Sequence, residues 1–195
     1  ELLPAGIEIR QGDYADQAGM TSALAGIDRL LFISSQPGGP VSRETQHLNV
    51  VAAAKEAGVS LVAYTSYPQA DQAKAPLAHD HQVTEAAIKE AGLAHAFLRD
   101  NWYLENDASF LTAGKEGQAA IYWTTGKAAW APEALYAPAA AKVLVSDQPK
   151  EVYEFGGQPI SYEELGDALK EALGKEVEVA KLSREAYEAA LVKSG

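Results

Sequence analysis

The chain has 195 residues, 47% of them apolar, enough to bury the core of one domain or of a domain and a lobe. A formal charge of −11 without a segregated basic patch argues against a nucleic-acid partner, and the lack of cysteine excludes disulfides, thiolate chemistry and the usual zinc frameworks. No apolar run approaches the roughly 18–20 residues of a spanning helix, and no basic-then-apolar leader is seen, so a cytoplasmic protein without membrane partners is expected.

The chain opens at Glu1-Leu2-Leu3-Pro4 without an initiator methionine, as an excerpt of a longer protein would. Ile7-Glu8-Ile9-Arg10 alternates like a short strand, and Asp16 can cap a helix running to about Ala25. Leu30 to Ser35 has the continuous apolar run of a strand covered on both faces, and Gln36 to Pro40 breaks it. Val41 to Ala57 is predicted helical, with Leu48, Val51, Ala52 and Lys55 stepping round its surface; Leu61 to Ser66 is the next strand. After a loop from Tyr67 to Pro76 comes a helix with Thr84, Ile88 and Ala91 on one face and Gly92 as its stop, then the buried strand His95 to Arg99. Strand and helix alternate three times, which predicts an α/β fold with a doubly wound parallel sheet.

The second half is less regular and reads as a small α+β lobe. Asn106 to Gly114 is predicted helical and Ala119 to Trp123 extended. Pro138, tolerated in a first turn, puts the next helix start at about Tyr136 with Leu135 at the cap. Val152 to Phe155 is a strand, Ser161 to Glu164 a capping box for a helix stopped by Gly174, Val177 to Val179 a strand, and Ser183 the cap of a last helix. Residues 1–101 are thus expected to form the sheet domain, and 102–195 a lobe interleaved with it.

All three early strands end in polar residues: Ser34-Ser35-Gln36, Thr65-Ser66-Tyr67 and Asp100-Asn101-Trp102. On a parallel sheet such tips gather at one edge, and hydroxyls, amides and aromatics there suit a flat, polar, ring-bearing ligand such as a nucleotide cofactor. The alternative is that Ser and Thr merely satisfy backbone groups at strand ends. Asp13 is equally a turn residue, and Trp102 and Tyr103 equally packing residues. His81 and Glu85 stand four apart on one helical face, where a carboxylate could orient or charge the imidazole; the bland reading is a surface pair. His79 and His81 splay apart at their spacing, so no metal is expected. Ser66 lacks the glycine-flanked elbow of a hydrolase nucleophile.

These residues resemble the NmrA-like, atypical branch of the short-chain dehydrogenase/reductase superfamily, and within it the bacterial NAD(P)H-dependent quinone oxidoreductases. The resemblance covers nearly the whole chain. It rests on Gly12-Asp13-Tyr14, Leu31 to Ser35, Tyr64-Thr65-Ser66, His81-Gln82-Val83-Thr84-Glu85, Phe97-Leu98-Arg99 running into Asn101-Trp102-Tyr103-Leu104-Glu105-Asn106, Gly126 to Trp130, and Tyr153 to Gly157. It implies a Rossmann-like fold whose first strands and Gly-rich pyrophosphate turn would precede Glu1. It further implies Asp13 and Tyr14 by the adenine, Ser34, Ser35 and Gln36 along the ribose, and Thr65, Ser66 and Tyr67 near the nicotinamide. Asn101, Trp102, Tyr103 and Asn106 fall on the quinone side, and His81 and Glu85 occupy the helix where ordinary relatives keep Tyr and Lys. With that Tyr-x-x-x-Lys pair absent, a quinone could take hydride directly and collect its protons from solvent or a weak acid. The implied cofactor is NADP(H) in preference to NAD(H), the implied partner a small quinone-like acceptor, with self-association compatible. Two alternatives stay open: a redox-sensing regulator that binds the dinucleotide without turnover, and an inactive fragment.

Overall fold

A computed structural model describes residues 6–194; the opening Glu1-Leu2-Leu3-Pro4 and the final Gly195 lie outside them. In chain order the elements are α1 (Gln17–Ala23), β1 (Arg29–Phe32), α2 (Arg43–Glu56), β2 (Leu61–Ser66), α3 (Pro76–Glu90) and β3 (His95–Asp100). A 3-10 turn (Leu104–Asp107), α4 (Ala108–Glu116), β4 (Ala120–Tyr122) and α5 (Glu133–Leu144) follow, then β5 (Val152–Phe155), α6 (Tyr162–Leu173), β6 (Val179–Lys181) and α7 (Arg184–Ser194). The described residues form two compact units, one of residues 6–100 and 138–155, the other of 101–137 and 156–194.

In the first unit, β1, β2, β3 and β5 lie side by side in that order, all parallel, with Phe32 level with Tyr64 and Tyr64 level with Phe97. Alternate side chains go to opposite faces. Phe32, Val62, Tyr64 and Phe97 meet Met20 and Leu24 of the α1 region, Val50, Val51, Ala53 and Ala54 of α2, and Ile88 of α3. Ala63, Ala96 and Leu98 point the other way, toward Ala140 and Val143 of α5. Helices therefore cover both faces, the doubly wound arrangement that continuous apolar strands require. Asp16 caps α1 by accepting from Gly19 N–H at 3.1 Å, and Ser42 caps α2 by accepting from Thr45 N–H at 3.1 Å. The expected strand at Ile7 to Arg10 is not one. Ile7 and Ile9 are exposed, and the segment is held by Arg10, whose guanidinium donates to the carbonyls of Ala23 and Ala25 at the end of α1.

The second unit is built on a parallel pair, β4 and β6, with a core of Phe110, Ala120, Tyr122, Trp130, Leu165 and Val177. The Ser161–Glu164 capping box and the Gly174 stop of α6 are present as expected. Three boundaries differ from expectation. α4 runs from Ala108 through Gly114 to its cap at Gly117, and Gly114 is a point of close packing: a Cβ there would lie 2.7 Å from Leu169 and 2.8 Å from Val177. That same contact buries Val177 in the core and leaves the β6 pairing to Val179–Lys181. α5 begins at Glu133 and not near Tyr136, which puts Pro138 inside the helix and exposed Leu135 in its first turn, away from the cap. The starting amide is satisfied from outside, since Glu133 N–H donates to the Glu105 carboxylate at 2.9 and 3.1 Å.

Candidate functional site

Beyond Phe32 the chain has left the ladder, so its backbone groups need other partners. Ser34 N–H donates to Thr65 Oγ1 at 2.8 Å, and Thr65 Oγ1 donates to Ser34 Oγ at 3.3 Å. The tips of β1 and β2 are thereby joined, and Ser34, Ser35, Thr65 and Ser66 gather at the carboxyl edge of the sheet, with Gln36 exposed beyond them. Tyr14 lies at the same end: its hydroxyl donates to Ile33 O at 3.1 Å and its ring meets Phe32 edge-on. Asp13 is an exposed turn residue, its carboxylate accepting from Ala15 N–H at 2.8 Å. Tyr67 packs its ring 5.8 Å from that of His81.

Behind the tips lies a buried polar network centred on two residues that the sequence did not single out, Arg43 and His47 of α2. His47 Nε2 accepts from Ser35 N–H at 3.0 Å, so its proton must sit on Nδ1, which faces Thr84 Oγ1 at 2.8 Å. Arg43 Nε donates to Ser35 O at 2.6 Å, while its Nη2 lies 3.2 Å from His81 Nε2. A guanidinium can only donate, so His81 Nε2 accepts, and His81 Nδ1–H faces the Tyr64 hydroxyl at 2.9 Å. Both imidazoles are held neutral. Burial and then the Arg43 charge lower His47 to about 4; burial, Arg43 and His47 lower His81 to about 3. The signal was present in the sequence, because Arg43, His47, Val50 and Ala54 fall at helical spacing on the face that α2 buries.

His81 and Glu85 are both buried, so they are not a surface pair, but neither does the carboxylate charge the imidazole. Glu85 is taken by β3: Arg99 Nε and Nη2 grip its two oxygens at 3.0 and 2.8 Å, and Ser66 Oγ donates to it at 2.6 Å. Arg99 also reaches Asp71 at 2.6 Å and Glu154 at 3.1 Å, and its hydrogen bond with Glu85 leads in raising its pKa. Glu154 in turn accepts from the N–H of Gln69, which adopts a left-handed φ of 49°. The Tyr67–Pro76 loop is thus tied to the sheet through Arg99.

In the second unit, Asn101 is structural: its Oδ1 accepts from Trp102 N–H at 2.8 Å and Ala129 N–H at 3.1 Å, and its carbonyl accepts from the Tyr136 hydroxyl. Trp102 is 45% exposed while its indole N–H is fixed on Asp107 Oδ2 at 2.9 Å. Trp130 donates to that same oxygen at 2.7 Å, and the Tyr162 hydroxyl donates to Oδ1 at 2.7 Å. Buried Asp107 therefore accepts from three donors, a role not legible from sequence. Tyr103 is half-buried with its ring 5.0 Å from that of Tyr136, and Asn106 is exposed. A groove of about 370 Å³ between α4 and α6, lined by Leu111, Lys115, Leu165 and Leu169, takes Leu104 from this loop but none of Asn101, Trp102, Tyr103 and Asn106.

A parallel sheet covered on both faces, with hydroxyls gathered beyond the carboxyl ends of its strands, defines a Rossmann-like α/β protein. The chain belongs to the NAD(P)H-binding family, whose model matches residues 1–128. It is 40% identical over 197 residues to quinone oxidoreductase 2 of Escherichia coli K12, covering 100% of this chain and 68% of that protein. It is 28% identical over 189 residues to an NmrA-like family domain-containing oxidoreductase of Aspergillus flavus, covering 93% of this chain and 62% of that protein. Among solved structures, the E. coli NADPH-dependent quinone oxidoreductase complexed with NADPH matches with a TM-score of 0.85 and 39% identity, covering 97% of this chain and 68% of that one. The chain thus spans about two thirds of the length of these relatives.

Proposed function

We propose that the protein transfers hydride from NADPH, in preference to NADH, to a small quinone. The observation that carries this reading is the 40% identity to quinone oxidoreductase 2 along the full chain. The residues present fit the sugar and ring portions of the cofactor: Ser34, Ser35 and Gln36 offer hydroxyls and an amide to a ribose, Asp13 and Tyr14 a carboxylate and a ring toward the adenine. Thr65, Ser66 and Tyr67 lie toward the nicotinamide. When bound, the cofactor supplies a hydride to the ring to be reduced. For the quinone the reading takes Trp102, an aromatic face whose N–H is already fixed, with Asn101, Tyr103 and Asn106 beside it in the chain.

His81 and Glu85 serve this reaction as positioning groups. His81 has Nε2 engaged by Arg43 and its Nδ1–H directed at Tyr64, and Glu85 is gripped by Arg99, so both are held by the protein and neither is free to serve the acceptor. Reduction of a quinone to the hydroquinone needs one hydride and one further proton, which water supplies. An NADPH-consuming reductase of this kind fits a cytoplasmic location, and no helix among the described residues is long and apolar enough to cross a membrane. Steady-state oxidation of NADPH by a simple benzoquinone tests the reading: saturable turnover is expected, with a higher KM for NADH. Dinucleotide binding without turnover would overturn it in favour of a redox-sensing regulator.

A further inference from the structure

The loop after β1 is unusual in where its backbone hydrogen bonds go. Ser34 N–H, Ser35 N–H and Ser35 O, three backbone groups of two adjacent residues in the segment expected along the cofactor ribose, are all satisfied by side chains: Thr65, His47 and Arg43 respectively. His47 and Arg43 stand one turn apart on α2, both buried, and grip Ser35 from its two sides. Arg43 is braced in turn by His81 Nε2 at 3.2 Å and Asp80 at 3.5 Å on α3, and His47 by Thr84, whose hydroxyl donates to Asp80 O at 2.7 Å. We propose that His47 and Arg43 are positioning residues for the cofactor: they fix the Ser35 backbone, and His47 Nε2 also holds the Ser35 hydroxyl at 3.2 Å, so that the Ser34 and Ser35 oxygens are set in place to accept from the ribose before it arrives. The inference rests on the function proposed above and deepens it.

The physical reason is preorganisation. Without these clamps the loop would leave the sheet with unpaired amides and sample many conformations, and the binding free energy would have to order it. The effect should fall on cofactor affinity and spare the acceptor.

The imidazole has two ends, and two amides of different length separate them. In His47→Gln the amide oxygen reaches the place of Nε2 and can still accept from Ser35 N–H, while in His47→Asn the amide sits at the place of Nδ1 and keeps only the Thr84 side. Isothermal titration with NADPH and steady-state kinetics with benzoquinone are run on the wild type and both variants, with melting curves to confirm folding. His47→Asn should raise Kd and KM for NADPH about tenfold, the equivalent of one lost hydrogen bond of about 1.4 kcal/mol, with quinone KM unchanged, and His47→Gln should stay near wild type. Equal NADPH affinity in the two variants, or the larger loss in His47→Gln, would overturn the assignment. Should His47→Asn fail to fold, Arg43→Lys decides: lysine has a methylene where the Arg43 Nε donates to Ser35 O, so NADPH KM should rise, and an unchanged value refutes the proposal. Wild-type protein that binds NADPH but does not turn over would sink the proposed reaction while leaving this clamp testable by titration.

Discussion

At the scale of single residues, the most informative groups are buried and polar. Asp107 accepts from two indole N–H groups on one oxygen and a tyrosine hydroxyl on the other, and that hydroxyl is pushed up in pKa by burial first and then by its bond to Asp107. Asp107→Leu strands the Trp130 N–H in the core and should cost about 2–3 kcal/mol in urea unfolding. Asp107→Asn should cost less than about 1 kcal/mol, because its oxygen can face the two indoles while its amide donates to Tyr162, which can accept. A Leu variant as stable as the Asn variant would show that the clasp contributes little. The paired histidines make a second prediction. His47 and His81 have folded values of about 4 and 3, below the unfolded value of 6.5, so the unfolded chain binds more protons in between. Their contribution to stability is complete above about pH 6.5 and is lost as pH falls toward 3, with a slope of up to roughly 2.7 kcal/mol per pH unit near pH 5. Urea midpoints measured from pH 7 to pH 5 should fall, and His81→Gln should flatten the decline. A decline of equal steepness in the variant would assign it to other groups.

At the scale of elements, α5 shows what sequence reasoning can and cannot reach. Its first amide is capped by Glu105, 28 positions earlier in the chain, and no local pattern announces that. Glu105→Ala should therefore lower stability by about 1 kcal/mol, the cost of a lost cap, whereas Leu135→Asp, in the first turn, should gain only a few tenths from the helix dipole. Melting temperatures of the two variants would check this, and a full cap-sized gain from Leu135→Asp would restore Leu135 as the true start. β5, with Glu154 inside it and Val152 exposed, carries no mark of its place in the sheet. The parallel strands β1, β2 and β3 were legible because a two-faced strand must be continuously apolar, and α6 because its capping box is local. The strand-tip hydroxyls were legible for the same reason. The packing role of Gly114 was not legible, since a glycine that lets a neighbour approach leaves no mark of its own in the sequence. Arg43 and His47 went unseen because a polar residue on a helix is expected to face water, and here both face the core of the sheet domain. The contact expected between His81 and Glu85 failed through a partner on another element, Arg99.

At the scale of the whole molecule, the order of the chain sets how it should unfold. The path leaves the first unit after Asp100, returns after Ala137 and leaves again after Phe155, so each unit is interrupted by part of the other. Pairing β5 with β3 closes a loop that contains α4, β4 and the start of α5; completing the core of the second unit with α6 closes one that contains β5. Each closure loses less entropy when the intervening segment is already compact, which couples the two units even though each has its own core. A single cooperative transition is expected. The two halves report separately, because Trp102, Trp123 and Trp130 all lie in the second unit, so tryptophan fluorescence follows that unit while far-UV circular dichroism follows both. Urea curves from the two probes should superimpose, and NADPH, whose proposed contacts are mostly in the first unit, should move both midpoints together by mass action. A fluorescence transition that separates from the dichroism curve, or that stays fixed when NADPH shifts the other, would show that the interleaved path does not bind the two units into one folding unit.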